Sequence, residues 1–220
     1  MNKIIISQTI RQKLPDLVLG CIACNVAIST ENPDLWAEIE TACKLIQNTT
    51  KLEKVGSHPA IHASRVAYRS CGKDPARYRL SSEALMRRAV KGNPLYRINN
   101  VVDLLNLVSL ETGMSIGGYD AEKIEGDVCF DIGMKNEPYE AIGRGEINIE
   151  FLPVFRDSVS SFGSPTSDSV RTFVTGETTK FLMVIIGFSG EEQTRETVEL
   201  STRLLRKYAG ADQIEIFYAG

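Results

Sequence analysis

The sequence is poor in the groups that most nucleophile and metal chemistries require. His58 and His62 are its only imidazoles, and a single tryptophan stands among 7% aromatic residues. No Gly-x-Ser-x-Gly elbow and no Gly-x-Gly-x-x-Gly loop occurs, which argues against elbow-type hydrolases and dinucleotide-binding folds. Neither sign of charge dominates: 25 basic residues face 28 acidic ones, for a net −3. Bulk electrostatics therefore does not draw the chain to nucleic acid or to an anionic membrane. The longest apolar stretch, Leu17 to Ile28, is broken by Gly20 and Asn25 and falls short of a membrane span. The opening run, Met-Asn-Lys-Ile-Ile-Ile-Ser-Gln, is too short for a signal-peptide core. Five scattered cysteines, an odd number, do not form a disulfide framework and fit a reducing, cytoplasmic setting.

What is present is an ordinary globular composition of 220 residues, 43% hydrophobic and 24% charged, long enough to bury a core without staples. Cys21-x-x-Cys24 and His58-x-x-x-His62 have the pairwise spacings of a zinc site. Thirty-three residues separate the two pairs, however, against about a dozen in a zinc finger. The cysteines also lie in an apolar run that reads as a buried strand, where residues three apart point to opposite faces. Buried structural thiols are the favoured reading, with no metal and no cofactor.

Hydropathy patterning outlines a mixed α+β chain. Ile4–Ile6 is a short apolar run, Gln8 to Lys13 a helical turn, and Leu17–Ile28 a long strand. Pro33 opens a helix whose apolar positions Leu35, Trp36, Ile39, Ala42, Cys43 and Ile46 recur at helical spacing, ending near Asn48. Ser81 is expected to cap a helix carrying Leu85, Met86, Ala89 and Val90, stopped by Gly92-Asn93-Pro94. Asn99 and Asn100 start a second helix, Val101 to Leu110, apolar almost all round and so expected to be buried. Beyond Gly113, Asp127–Ile132, Glu140–Ile142, Ile147–Phe155, Arg171–Val174 and Phe181–Phe188 read as strands. A helix from Glu191 to Tyr208 stops at Gly210, and Ile214 to Tyr218 supplies a last strand. No repeat or linker appears, so residues 1–220 are read as a single domain with helices segregated from a later β region.

Two features are able to carry chemistry. Between Ile61 and Asn100 nine basic residues meet only Asp74 and Glu83, so this stretch carries +7 and the remainder −10. Tyr68, Tyr78 and Tyr96 are interleaved with the cations, a pattern that suits phosphates and stacked bases; internal ion pairing, as between Glu83 and Arg87, is the competing reading. Asn99, Asp103 and Asn106 fall on one face of an otherwise apolar helix, where they either tie the helix to neighbouring backbone or face a cavity. The series Thr166, Ser167, Asp168, Ser169, Thr172, Thr175 and Thr178 adds hydrogen-bonding groups. Gly143-Arg144-Gly145 is too short to read as a phosphate loop.

Ile98-Asn-Asn-Val-Val-Asp-Leu-Leu-Asn106, followed by Leu110-Glu-Thr-Gly113, Gly118-Tyr-Asp120 and Ile124-Glu-Gly126, resembles the B3/B4 domain of the phenylalanyl-tRNA synthetase β subunit. Ser169 to Phe188 is similar to that domain's closing segment. Arg65-Val-Ala-Tyr-Arg69, Gly72-Lys-Asp-Pro75, Tyr78-Arg-Leu-Ser and Leu85-Met-Arg-Arg88 resemble free-standing bacterial B3/B4 proteins. The likeness covers roughly residues 60–190. It implies a three-layer α+β fold in which a β-sandwich of unusual topology is flanked by helices. It also implies a pocket that, in the synthetase, hydrolyses mischarged tyrosyl-tRNA. Two positions depart from the pattern: Gly117 stands where the synthetase has its editing histidine, and Val184 where it has the glutamate that recognises the tyrosine hydroxyl. Neither role carries over, and the chain is too short to hold the ligase's catalytic and anticodon-binding modules.

Two functions stay open on this basis. One is a tRNA- or aminoacyl-tRNA-binding module that hydrolyses aminoacyl esters in trans, with backbone and hydroxyl donors polarising the ester. The other is a non-catalytic module that binds RNA or a small amino-acid-like ligand. Pocket residues implied by the resemblance and the helix pattern are Asn106, Ser115, Gly117, Gly118, Thr172 and Thr175. Arg65, Arg69, Arg77, Arg79, Arg87 and Arg88 are the expected RNA contacts. No membrane partner is expected, and both readings require a hollow beside the helix of Asp103 that opens toward an arginine-rich exterior.

Overall fold

The structure, a computed structural model, describes residues 3–220. Two four-stranded sheets and a layer of helices make three layers. The first sheet runs β1 (Ile4–Ile6), β4 (Val128–Ile132), β7 (Pro153–Arg156) and β8 (Ser161–Gly163), with β1 parallel to β4 and the remainder antiparallel. The second is fully antiparallel, in the order β10 (Asp212–Ala219), β2 (Val18–Asn25), β9 (Lys180–Gly187) and β3 (Ser115–Asp120). The chain's first long strand thus lies between its last two, and the strands are not confined to the later half. A two-residue hairpin, β5 (Glu140–Ala141) with β6 (Gly145–Glu146), stands apart.

Strands β2 and β9 are covered on both sides, which is why they read as nearly continuous apolar runs. Leu19, Cys21, Leu182, Val184 and Ile186 point between the sheets, where Tyr119, Phe130, Phe155 and Phe162 fill the sandwich. Ile22, Cys24, Phe181, Met183 and Ile185 point the other way, onto α2 (Pro33–Thr49), α5 (Asn100–Thr112) and α6 (Glu191–Ala209). Cys21 and Cys24 therefore lie in different cores. Burial pushes both thiols up to about 12, so they are unreactive packing residues. Among the described residues no group of three or more His, Cys, Asp or Glu is placed to hold a metal ion. Among the described residues no helix is long and apolar enough to cross a membrane.

Helices α1 (Gln8–Lys13), α3 (Pro59–Cys71) and α4 (Ser81–Val90) complete the frame. Several expectations are corrected. Leu80, not Ser81, occupies the N-cap of α4 and makes no side-chain cap; the Ser81 amide donates instead to the Pro165 carbonyl (2.8 Å). Residues 147–152 form a turn rather than a strand, with Phe151 at φ 66. Ile149 and Leu152 turn into a third core beneath Tyr68 and Met86. The Lys73 ammonium holds that turn by donating to the Asn148 (3.0 Å) and Glu150 (2.5 Å) carbonyls. Residues 171–174 form a loop, tied to β3 by Asp120 N–H donating to the Thr172 carbonyl (2.9 Å). Conversely β3, whose Gly117-Gly118 pair weakens any strand signal, forms along its whole length by pairing with Phe181 to Ile186 of β9.

Candidate functional site

Helix α5 carries two stripes. Val101, Leu104, Leu107 and Val108 pack into the helix-side core, whereas Val102, Leu105, Asn106 and Ser109 line a cavity of about 580 Å³. Asn99 and Asn100 anchor the helix. The Asn99 side chain accepts from the Val102 amide (2.9 Å). Asn100 accepts from the Ser29 amide (2.9 Å) and donates to the Ala27 and Tyr208 carbonyls (both 2.8 Å). Asp103 faces away from the cavity, where its carboxylate accepts from Trp36 Nε1 (2.9 Å) and from the Ile98 amide (3.0 Å). Burial raises its pKa, and those two donors work against the rise. Of the three polar residues on that face, two are structural and Asn106 reaches the hollow.

The other walls come from five places. Helix α4 supplies Ser81, Ser82, Leu85 and Arg88, and the segment after it Leu95, Tyr96 and Ile98. Strand β3 supplies Ile116 and Gly118, the β5–β6 hairpin Ile142 and Arg144, and the loop after β8 Ser164, Thr166, Ser167, Asp168, Phe173 and Val174. Large apolar groups stand exposed on this lining: Tyr96 (70%), Ile98 (51%), Ile142 (44%) and Phe173 (42%). Exposed apolar side chains gathered round one cavity mark a binding surface rather than scattered surface hydrophobes. Its size and its mixture of apolar walls with a few polar groups suit a small-molecule site.

Asp168 is the acidic group in this cavity. Tyr119, buried in the sandwich, donates its hydroxyl to Oδ1 (3.0 Å). The ring fits because Gly117 and Gly163 flank it; a Cβ at either position would collide with the tyrosine hydroxyl. Burial pushes Asp168 up to about 7, while the Tyr119 hydroxyl and the Gly118 and Ser164 amides pull the other way. The neighbouring hydroxyls are already engaged: Thr166 Oγ1 bonds Tyr68 (2.9 Å), and Ser164 donates to the Ser167 carbonyl (2.9 Å).

The structure brings Asn106, Gly118 and Arg88 to the cavity and leaves the other expected residues off its lining. Ser115 is fully buried behind α4, its hydroxyl 3.4 Å from that of Ser82. Gly117 faces Tyr119 inside the sandwich, and Val184 is buried there too. Thr172 is buried with its hydroxyl unpartnered, and Thr175 turns back to Thr178 through its amide (3.0 Å). The cations divide as well. Arg65 (2.8 Å), Arg87 (2.9 Å) and Arg79 (3.9 Å) converge on the buried carboxylate of Glu83. Arg69 and Arg77 are exposed away from the lining. Arg88 lies over the Tyr96 ring at 4.3 Å.

Sequence reasoning marked Asp168 only as one of a series of hydrogen-bonding groups, without assigning it to the pocket, and passed over Arg144 because Gly143-Arg144-Gly145 is too short to read as a phosphate loop. That segment is a tight hairpin turn, both glycines at φ 68, that presents an arginine at the cavity. A second cleft, of about 570 Å³, opens at the end of the sandwich, where Lys180 pairs with Glu122 at 3.3 Å.

Fold and cavity together define a three-layer α+β architecture with a polar-floored, apolar-walled pocket set between its helices and the edge of a sheet. The B3/4 domain family matches residues 63–210, and the chain belongs to that family. It is also similar to an N-terminal fragment of the phenylalanyl-tRNA synthetase β subunit from Pyrococcus horikoshii, with a TM-score of 0.51 and 14% identity. The likeness covers 99% of this chain and 50% of that one, so the chain spans about half the length of the synthetase fragment. No curated protein matches the sequence.

Proposed function

We propose that residues 1–220 form one tRNA-binding unit of the B3/4 type, acting in the cytoplasm on the acyl end of an aminoacyl-tRNA. The observation that carries this reading is the cavity beside Asn106, with Asp168 within and Arg88 and Arg144 on its lining. In a chain of this family, such a cavity suits the aminoacyl group, and the two arginines suit the phosphates of the acceptor end. Hydrolysis would proceed without a protein nucleophile. Water attacks the ester carbonyl while hydroxyl and backbone donors of the lining stabilise the developing oxyanion; the acyl C–O bond then breaks, and the terminal ribose oxygen of the tRNA leaves with the proton given up by the water.

One observation favours the non-catalytic alternative. The positions matching the synthetase's histidine and glutamate, Gly117 and Val184, both face the sandwich interior, so no substitution there alone restores that chemistry in this cavity. Fluorescence titration with tRNA at two salt concentrations tests the RNA part; binding should weaken steeply with salt, and its absence at low salt removes RNA from the account. Release of amino acid from a panel of charged tRNAs tests the hydrolytic part. No release above background from any of them leaves a binding module.

A further inference from the structure

Asp168 has no cationic partner: no Lys or Arg forms a salt bridge to it among the described residues, although Arg88 and Arg144 line the same cavity. A carboxylate is able to accept about four hydrogen bonds. Here the phenolic hydroxyl of Tyr119 bonds Oδ1 and the Gly118 and Ser164 amides also bond the carboxylate, so three neutral donors and no cation hold it, on the lining of a space with apolar walls such as Leu105 and Val174. An unpaired buried carboxylate is costly, and its natural complement is a cation brought in by the ligand.

We infer that Asp168 is the receptor for a primary ammonium carried on an apolar or aromatic body, so that the cavity reads a free amine and rejects the same group once it is acylated. This rests on the reading of the cavity as the ligand site; for an aminoacyl ester it means that N-blocked esters are excluded. An ammonium donates up to three hydrogen bonds and adds the charge that Asp168 lacks. An N-acyl amide offers one N–H and no charge. Because Asp168 sits at about 7, the site is a proton-gated one. The groups facing the carboxyl are the Tyr119 phenol from β3, Tyr139 ahead of the hairpin, and Arg88 and Arg144 across the cavity. The phenols are held neutral by burial and the guanidiniums stay charged, so the carboxyl is the group that titrates around neutrality.

The test uses the whole chain, 2-phenylethylamine, its N-acetyl derivative and phenylacetate, with affinity read by calorimetry between pH 5.5 and 8. The amine should bind, roughly 30-fold more tightly at pH 8 than at pH 5.5 for a carboxyl titrating at about 7. The acetylated amine and phenylacetate should bind at least ten-fold more weakly. Asp168→Asn, which keeps an oxygen for the Tyr119 hydroxyl, should lose both the affinity and its pH dependence. Should that variant not fold, the wild-type Asp168 carboxyl carbon, followed by NMR, should titrate at lower pH with the amine present. Equal binding of amine and amide, pH-independent binding, or an unmoved carboxyl titration would each overturn the assignment. Amine binding without tRNA binding would overturn the RNA reading and leave this one standing.

Discussion

At the scale of single residues, buried charge in this protein is handled in two contrasting ways. Glu83 is 1% exposed and gathers three arginines, which satisfies its carboxylate by geometry. Lys73 is 6% exposed and relies on neutral partners: two backbone carbonyls and the face of Tyr78, 3.7 Å away. Burial dominates, pushing the lysine down to about 8 from 10.5, although the Glu150 carboxylate pulls it upward. The unfolded chain therefore holds more protons than the folded one between pH 8 and 10.5, and within that window this group makes stability rise with pH. Wild type and Lys73→Met, compared by urea unfolding across that range, should differ accordingly. The wild-type midpoint should gain on the variant as pH rises; a difference that is flat or falls with pH would show that the ammonium is not strained by burial.

At the scale of elements, the cavity depends on where α5 is pinned. Asn100 joins three chain segments at once, the residues after β2, the start of α5 and the end of α6, through three hydrogen bonds of 2.8–2.9 Å. Asn100→Ala removes the side-chain partner of the Ser29 amide and of the Ala27 carbonyl, and one of two donors to the Tyr208 carbonyl, which Asn32 also bonds, for a cost of about 2 kcal/mol. Calorimetry should show a clear fall in Tm, with a larger loss of ligand affinity than a cavity-remote core variant of equal instability such as Ile10→Ala produces. The same element shows what a sequence is able to disclose. The cap at Asn99 and the apolar helix from Val101 to Leu110 were legible, because helix periodicity and capping are local, although the helix runs on to Thr112 before Gly113 ends it. Strand β3 was not, since Ile116-Gly117-Gly118 has little strand propensity of its own and is held by pairing with β9 far along the chain. The turn at 147–152 was misread for the same reason: its apolar residues alternate like a strand, while a lysine some 75 residues away closes it.

At the scale of the whole molecule, the sequence's most visible feature, the cationic stretch from Arg65 to Arg97, divides on folding into internal and external parts. Arg65 and Arg87 are committed to Glu83, an outcome that linear charge counting does not anticipate because one buried carboxylate offsets several cations. Arg88, by contrast, meets Arg144 on one cavity only through a hairpin that the chain makes more than fifty residues later. Asn106 and Gly118 were readable as site residues; Asp168, marked only within a series of hydrogen-bonding groups, and Arg144 joined them when tertiary structure set a loop and a turn opposite α4 and α5. This division makes a quantitative expectation for RNA. Each phosphate contact contributes about 0.7 to 0.9 to the slope of log affinity against log salt. Arg88→Ala combined with Arg144→Ala should therefore flatten the tRNA-binding slope by about 1.5. Arg65→Ala should lower stability, because it weakens the neutralisation of Glu83, yet leave that slope where it was. If the two outcomes are exchanged, the cations around Glu83 are the ones that meet RNA, and the cavity is a small-ligand site with no acceptor end beside it.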